Sequence, residues 1–260
     1  MTISLISLLF YTAAAWLGLR KPEWLCSRWL PLPALALHIG LLSGQMFGGG
    51  LITIGINEAL SLFAWQSALL LWALCFREPL RTIGTVVYPF AGVMAVLAAF
   101  WPTQSSDIAI DDWSARTHIV LSLLSSGLLT LAAVHACLLA IQERLLRTRR
   151  MTGLMAALPP LQTMERLLFQ LIGIGFFLLS LTLISGLGFI RDWLAQHLAH
   201  KTVLSISAWL IFAVLLWGRA KFGWRGRTAI RWTLAGYAML ILAYFGSKLI
   251  LEQVLGTHWS

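Results

Sequence analysis

The stretch 201–246 constrains this chain most: two apolar runs joined by a short basic turn. Each run is about 20 residues long, the length a helix needs to cross about 30 Å of hydrocarbon. Between and beside them lie Arg219, Lys221, Arg225, Arg227 and Arg231, with no acidic residue. Lys and Arg flanking membrane spans favour the cytoplasmic side. The stretch therefore predicts a membrane hairpin whose turn faces the cytoplasm.

The same pattern recurs along the chain. Further apolar runs cover 1–19, 30–47, 60–76, 82–101, 117–141 and 167–190. Hydrophobic residues make up 59% of the chain and charged residues only 11%, against about 25% charged in soluble domains. A core built from 260 residues cannot enclose all these runs. The expected fold is all-α, a polytopic transmembrane bundle of about eight helices forming one integral membrane domain over 1–260.

Charge sets the expected orientation. Of the 19 cations, all but Arg116, Arg191, Lys201 and Lys248 fall in loops on one side of that topology. This predicts a multi-pass protein of the bacterial inner membrane with both termini on the periplasmic side. The first run has no cation before it and is followed by Arg20 and Lys21, the reverse of a secretory signal, so a retained first helix is expected. Residues 51–59, 102–116 and 191–201 become external connections, and 142–166 the longest internal one, with room for a short amphipathic helix before Pro159 and Pro160. A formal charge of +9 would suggest nucleic acid in a soluble chain. Here the cations flank spans and face anionic lipid, so the bilayer is the expected partner and nucleic acid is not.

Motifs for hydrolytic or nucleotide chemistry are absent from the sequence: no GxSxG, Walker loop, HExxH or pair of intramembrane carboxylates. Cys26, Cys75 and Cys137 form no CxxC or CxxCH, so neither a thiol redox centre nor a c-type haem attachment site is expected. Spans nearly free of charge also argue against an ion-coupled transporter, and no internal repeat is visible. Histidine and tryptophan remain. Neutral imidazole is a good iron ligand. His38 lies about 12 Å into the second span at 1.5 Å per residue, where it is either a hydrogen-bonded core histidine or a ligand. His118 opens the fifth span, with Ser122 and Ser125 on its face at helical spacing. His135 lies about 25 Å further along the same helix, too far to share one iron with His118, and reads as structural. His197 and His200 read as solvated loop residues. His258 is placed at the same outer depth as His118. Most of the 13 tryptophans fall near span ends, as an interfacial belt would; Trp65 and Trp209 lie deeper and could wall a planar ligand.

The segments KTVLSISAW (201–209), LLWGR (215–219), GWRGR (223–227) and LAYFGSK (242–248), with PPLQTMER (159–166), resemble the cytochrome c assembly family of CcsA-type haem-handling proteins and HemX/YpjD-like inner membrane proteins. The likeness is most specific over 201–248, and in length and in the GWRGR hairpin it is nearest the YpjD-like branch. It implies haem b as cofactor, handled at the outer face, with His38 and His118 as axial iron ligands, Trp209 as a wall and His258 as a further ligand position. It also implies cytochrome c maturation proteins as partners. Two family features differ here: the Trp-rich WDPK-type loop is replaced by RDWLAQHLAHK, retaining Lys201, and Gly218 stands where a second buried histidine precedes the basic turn. The expected function is thus haem handling in cytochrome c assembly, accessory and without a catalytic cycle of its own. The alternatives are a small-molecule transporter or a membrane scaffold without haem.

Overall fold

The structure, a computed structural model, describes residues 2–20, 29–46, 53–54, 56–76, 80–101, 106–107, 113–148, 158–189 and 196–246. Among them are eight long helices: α1 (Thr2–Arg20), α2 (Pro31–Met46), α3 (Ile56–Leu74), α4 (Gly84–Phe100), α5 (Trp113–Arg147), α6 (Leu161–Phe189), α7 (Gln196–Phe222) and α8 (Arg227–Ile241). A two-residue antiparallel ladder pairs Thr53–Ile54 with Ser106–Asp107. It ties together two segments that the charge pattern assigns to the same side of the membrane.

The described residues contain five helical segments long and apolar enough to cross a membrane. The first of them, α1, has its polarity inverted relative to a soluble helix. In α1 the buried positions are Ser4, Ser7, Tyr11, Ala14 and Ala15, one stripe at helical spacing. Ile3, Leu5, Ile6, Leu9 and Trp16 are exposed. Large apolar side chains outside and small or polar ones inside suit a hydrocarbon solvent, where close packing and interhelical hydrogen bonds hold helices together.

The chain divides into two compact units. The first comprises residues 1–110 and 153–159 and holds α1 to α4. Within it α1 lies against α2 and α4, and α3 against α2 and α4. A Cβ at Gly92 would sit 3.0 Å from the Leu8 Cα, so glycine there permits the close crossing of α1 and α4. The interior carries polar links across helices. Ser7 donates to the Ala34 carbonyl at 3.1 Å, and the Trp65 indole donates to the Leu35 carbonyl at 2.9 Å. Trp65 is therefore a structural tie between α2 and α3.

The second unit comprises residues 111–152 and 160–260 and holds α5 to α8. α5 and α6 form its longest seam. Ser125 donates to the Gly175 carbonyl at 3.1 Å, and His135 Nε2 donates to the Met164 carbonyl at 2.9 Å. His135 is buried, as its structural reading expects. A Cβ at Gly175 would lie 2.8 Å from Leu129, so this glycine lets α5 approach. Gly173, two residues earlier, has open space at its Cβ position.

Several boundaries differ from the hydropathy reading: α3, α5 and α6 begin at Ile56, Trp113 and Leu161, ahead of their apolar runs. α5 runs 35 residues, about 52 Å, well past the apolar run that ends at Ile141. Gln142 to Arg147 are mostly good helix formers, so the helix continues where the apolar run ends. α7 likewise begins at Gln196, so His197 and His200 lie in helical backbone where a loop was expected. Hydropathy marks a change of solvent and propensity marks the end of a helix; the two need not coincide.

Candidate functional site

His118 sits in the second turn of α5 and faces α6. Its Nδ1 lies 3.0 Å from the Ser185 Oγ. Ser185 donates its own hydroxyl proton to the Thr182 carbonyl at 2.9 Å, a back-bond within α6. A hydroxyl has one proton, so when it donates to Thr182 it accepts from His118. With the hydroxyl turned to Thr182, the ring proton sits on Nδ1 and the lone pair on Nε2; with it turned to His118, the two are exchanged. Gly186 completes the seat, because a Cβ there would be 3.2 Å from the His118 Cε1.

The imidazole opens on a cavity of about 470 Å³ among α5, α6, α7 and the segment after α8. That volume lies within the usual range for small-molecule and cofactor sites. The walls are predominantly apolar; Ser180, Lys201, Trp209 and Tyr244 add polar groups. Trp209 is fixed at two points: its Nε1 donates to Ser180 Oγ at 2.9 Å, and its ring stacks on Phe176 at 5.4 Å with planes 25° apart. Tyr244, in a π-helical turn, Leu242–Gly246, lines the same cavity as His118. Such π-turns recur at functional sites because they redirect a side chain without ending the helix.

His118 and Trp209 are thus brought to one cavity. His38 is held in the interior of the first unit, fully buried. Its Nε2 is 2.8 Å from Ser61 Oγ and its Nδ1 is 3.3 Å from the Tyr11 hydroxyl, so both ring nitrogens have partners. His258 lies outside the described residues. Among the described residues, no three His, Cys, Asp or Glu side chains converge as a site for a bare metal ion.

Gly218 has a specific tenant. The turn after α7 folds Trp224 back over it, so that a Cβ at Gly218 would lie 2.4 Å from the indole. The Trp224 amide reaches the Gly218 carbonyl at 3.3 Å, and Arg219 Nη1 donates to the Trp224 carbonyl at 3.1 Å. The turn closes through Gly223 and Gly226, both at positive φ, 67° and 55°. The Gly226 amide donates to Glu165 Oε1 at 2.9 Å. Where the family resemblance implies a second buried imidazole, this chain packs tryptophan against bare backbone.

Reading from sequence missed Ser185, Gly186, Ser180 and Tyr244. Ser185 and Gly186 stand next to each other in a glycine-rich run, and no local signal marks them as the seat of a histidine on another helix. Of the serines on the His118 face, Ser125 bonds to α6, while Ser122 back-bonds to the Ile119 carbonyl within α5.

Fold and site together define a helical membrane protein with a histidine-bearing cavity between helices. The profile of the family described as "Cytochrome C assembly protein" matches residues 53–255, and the chain belongs to that family. It is 37% identical over 169 residues to the inner membrane protein YpjD of Escherichia coli K12, covering 65% of this chain and 64% of that protein. It is 23% identical over 156 residues to Protein HemX of Brevibacillus brevis, covering 59% of this chain and 57% of that protein. To the cytochrome c biogenesis protein CcsA of Gloeobacter violaceus it is 26% identical over 100 residues, 38% of this chain and 30% of that one. The matches thus span less than two thirds of each of these relatives. No solved structure matches the chain significantly.

Proposed function

We propose that this protein handles haem in cytochrome c assembly, as an accessory protein without a catalytic cycle of its own, in the bacterial inner membrane. The observation that carries the reading is His118: a ring held at Nδ1 by Ser185 and lining a cavity walled by Trp209. The donor set suits a porphyrin. A lone imidazole is a poor site for a bare ion, but haem iron needs only axial ligands from protein. Bound haem would supply iron coordination and redox chemistry. The chain's own residues would do the rest: Ser185 and Gly186 orient His118, Trp209 gives a flat apolar wall, and Lys201 offers a cation for a carboxylate.

The chain's family and its relatives' names support the cytochrome c connection, with other maturation proteins as partners. Lipid is the second contact, through exposed apolar side chains such as Phe177, Ile184 and Val203. The proposed topology has eight spans with both ends periplasmic, which puts the His118 cavity toward the outer face. His38 and His258 remain further ligand candidates. For His38, ligation requires exchange of its bond to Ser61 or Tyr11.

The test is the absorption spectrum of protein purified after haem-replete expression. A Soret band is expected, lost in His118→Ala and weakened or shifted in Trp209→Ala. His135→Asn, away from the cavity, should leave it unchanged. Colourless wild-type protein that also fails to take up added haem would refute the reading.

A further inference from the structure

A second cavity, separate from the His118 site, lies where α5 ends, α6 begins and the basic turn leads into α8. Its volume is about 430 Å³. Arg147 from α5, Arg225 from the turn and Arg227 from α8 line it, with Thr228 and one carboxylate, Glu143. Three like charges from three segments repel, so their convergence needs an explanation. Among the described residues no side-chain hydrogen bond or ion pair is seen for the three guanidinium groups. Two carboxylates stand at the turn backbone beside them, Glu143 with Oε1 2.8 Å and Glu165 with Oε1 3.8 Å from where a Gly226 Cβ would lie, and they leave the three cations in excess.

Its level in the membrane points to a ligand class. The hairpin that carries Arg225 and Arg227 also carries a ladder of aromatic rings. Trp217 meets Phe222 edge-on at 5.3 Å, Phe222 stacks on Trp224 at 6.3 Å, and Trp224 tilts on Trp232 at 5.5 Å. Trp217 and Phe222 are about 60% exposed. Exposed tryptophans at a span end mark headgroup depth. A guanidinium binds phosphate oxygens through paired N–H donors. Basic pockets between membrane helices at this depth suit acidic lipid headgroups.

We infer that Arg147, Arg225 and Arg227 form a site for the phosphate of an anionic phospholipid, whose acyl chains lie along the aromatic ladder. The lipid would hold the GWRGR turn against the ends of α5 and α6, in addition to the Gly226–Glu165 bond.

The test uses the full chain purified in neutral detergent. Native mass spectrometry and thermal unfolding are read with phosphatidylglycerol, phosphatidylcholine or inorganic phosphate added. Phosphatidylglycerol should bind and raise Tm, and phosphatidylcholine should do so at least tenfold more weakly. The double variant Arg225→Gln/Arg227→Gln and the single variant Arg147→Gln, on separate segments, should each lose about tenfold in phosphatidylglycerol binding, the scale of one charge-assisted hydrogen bond. Arg20→Gln, a cation of the first unit packed over Trp16, should bind as wild type. Three outcomes overturn the inference: equal binding of the two lipids, undiminished phosphatidylglycerol binding in both Arg variants, or an equal loss in Arg20→Gln. Inorganic phosphate binding with the same Arg dependence, without lipid selectivity, would also overturn the lipid assignment.

Discussion

Gly218→Ala tests the account of the hairpin most sharply, because two effects of known sign oppose each other there. In the interior of a helix, Ala is favoured over Gly by about 0.8–1.0 kcal/mol. Gly218 lies within α7, which runs to Phe222, so without tertiary contacts the substitution should stabilise. The new methyl, however, would lie 2.4 Å from Trp224 Cε3 and 2.5 Å from Cδ2. Those are carbons of a rigid bicycle, not the tip of a flexible chain, so the indole must move as a body. Overpacking of this kind costs about 1–3 kcal/mol. The clash should therefore win, leaving a net destabilisation of up to about 2 kcal/mol. Removing the indole should reverse the sign: in a Trp224→Ala background, Gly218→Ala should stabilise by about 1 kcal/mol. The coupling energy between the two positions is then about 1–3 kcal/mol, within the range of residues in direct contact. The assay is a double-mutant cycle, with unfolding of the four proteins followed in one detergent. Stabilisation by Gly218→Ala in the wild-type background, or zero coupling, would refute the packing of Trp224 on Gly218.

Ser185→Ala should weaken haem binding by about 10- to 100-fold, as loss of an outer-shell partner does, and shift the Soret maximum; an unchanged titration and spectrum would show that Ser185 does not orient His118. Ser61→Ala leaves His38 Nε2 without its 2.8 Å partner, and should cost about 1–3 kcal/mol of stability, measured by thermal unfolding against Ser43→Ala, whose hydroxyl only back-bonds within α2. Gly226→Ala forces a side chain into φ 55°, ψ −131° beside Glu143; it should destabilise by more than about 1 kcal/mol, whereas Thr228→Ala should have a much smaller effect.

Much of this protein is decided within short windows of sequence. Runs of about 20 apolar residues have little choice but helix when the solvent is hydrocarbon, because each backbone amide must find its partner within the segment. The eight helices, the basic turn and the glycines that close it follow from that local requirement, and the hairpin's motifs also carry the family. The site was legible only in part. A histidine opening a serine-bearing helix and a deep tryptophan could be picked out as His118 and Trp209, yet their meeting at one cavity could not. The proton position on His118 depends on Ser185, 67 residues away. The two partners of His38 come from α1 and α3, and the space over Gly218 is taken by a ring that folds back from the turn. Hydropathy and propensity are sums over neighbours in the chain. The protonated nitrogen of an imidazole and the space left for a methyl group are set by neighbours in space, and these only the packed helices decide.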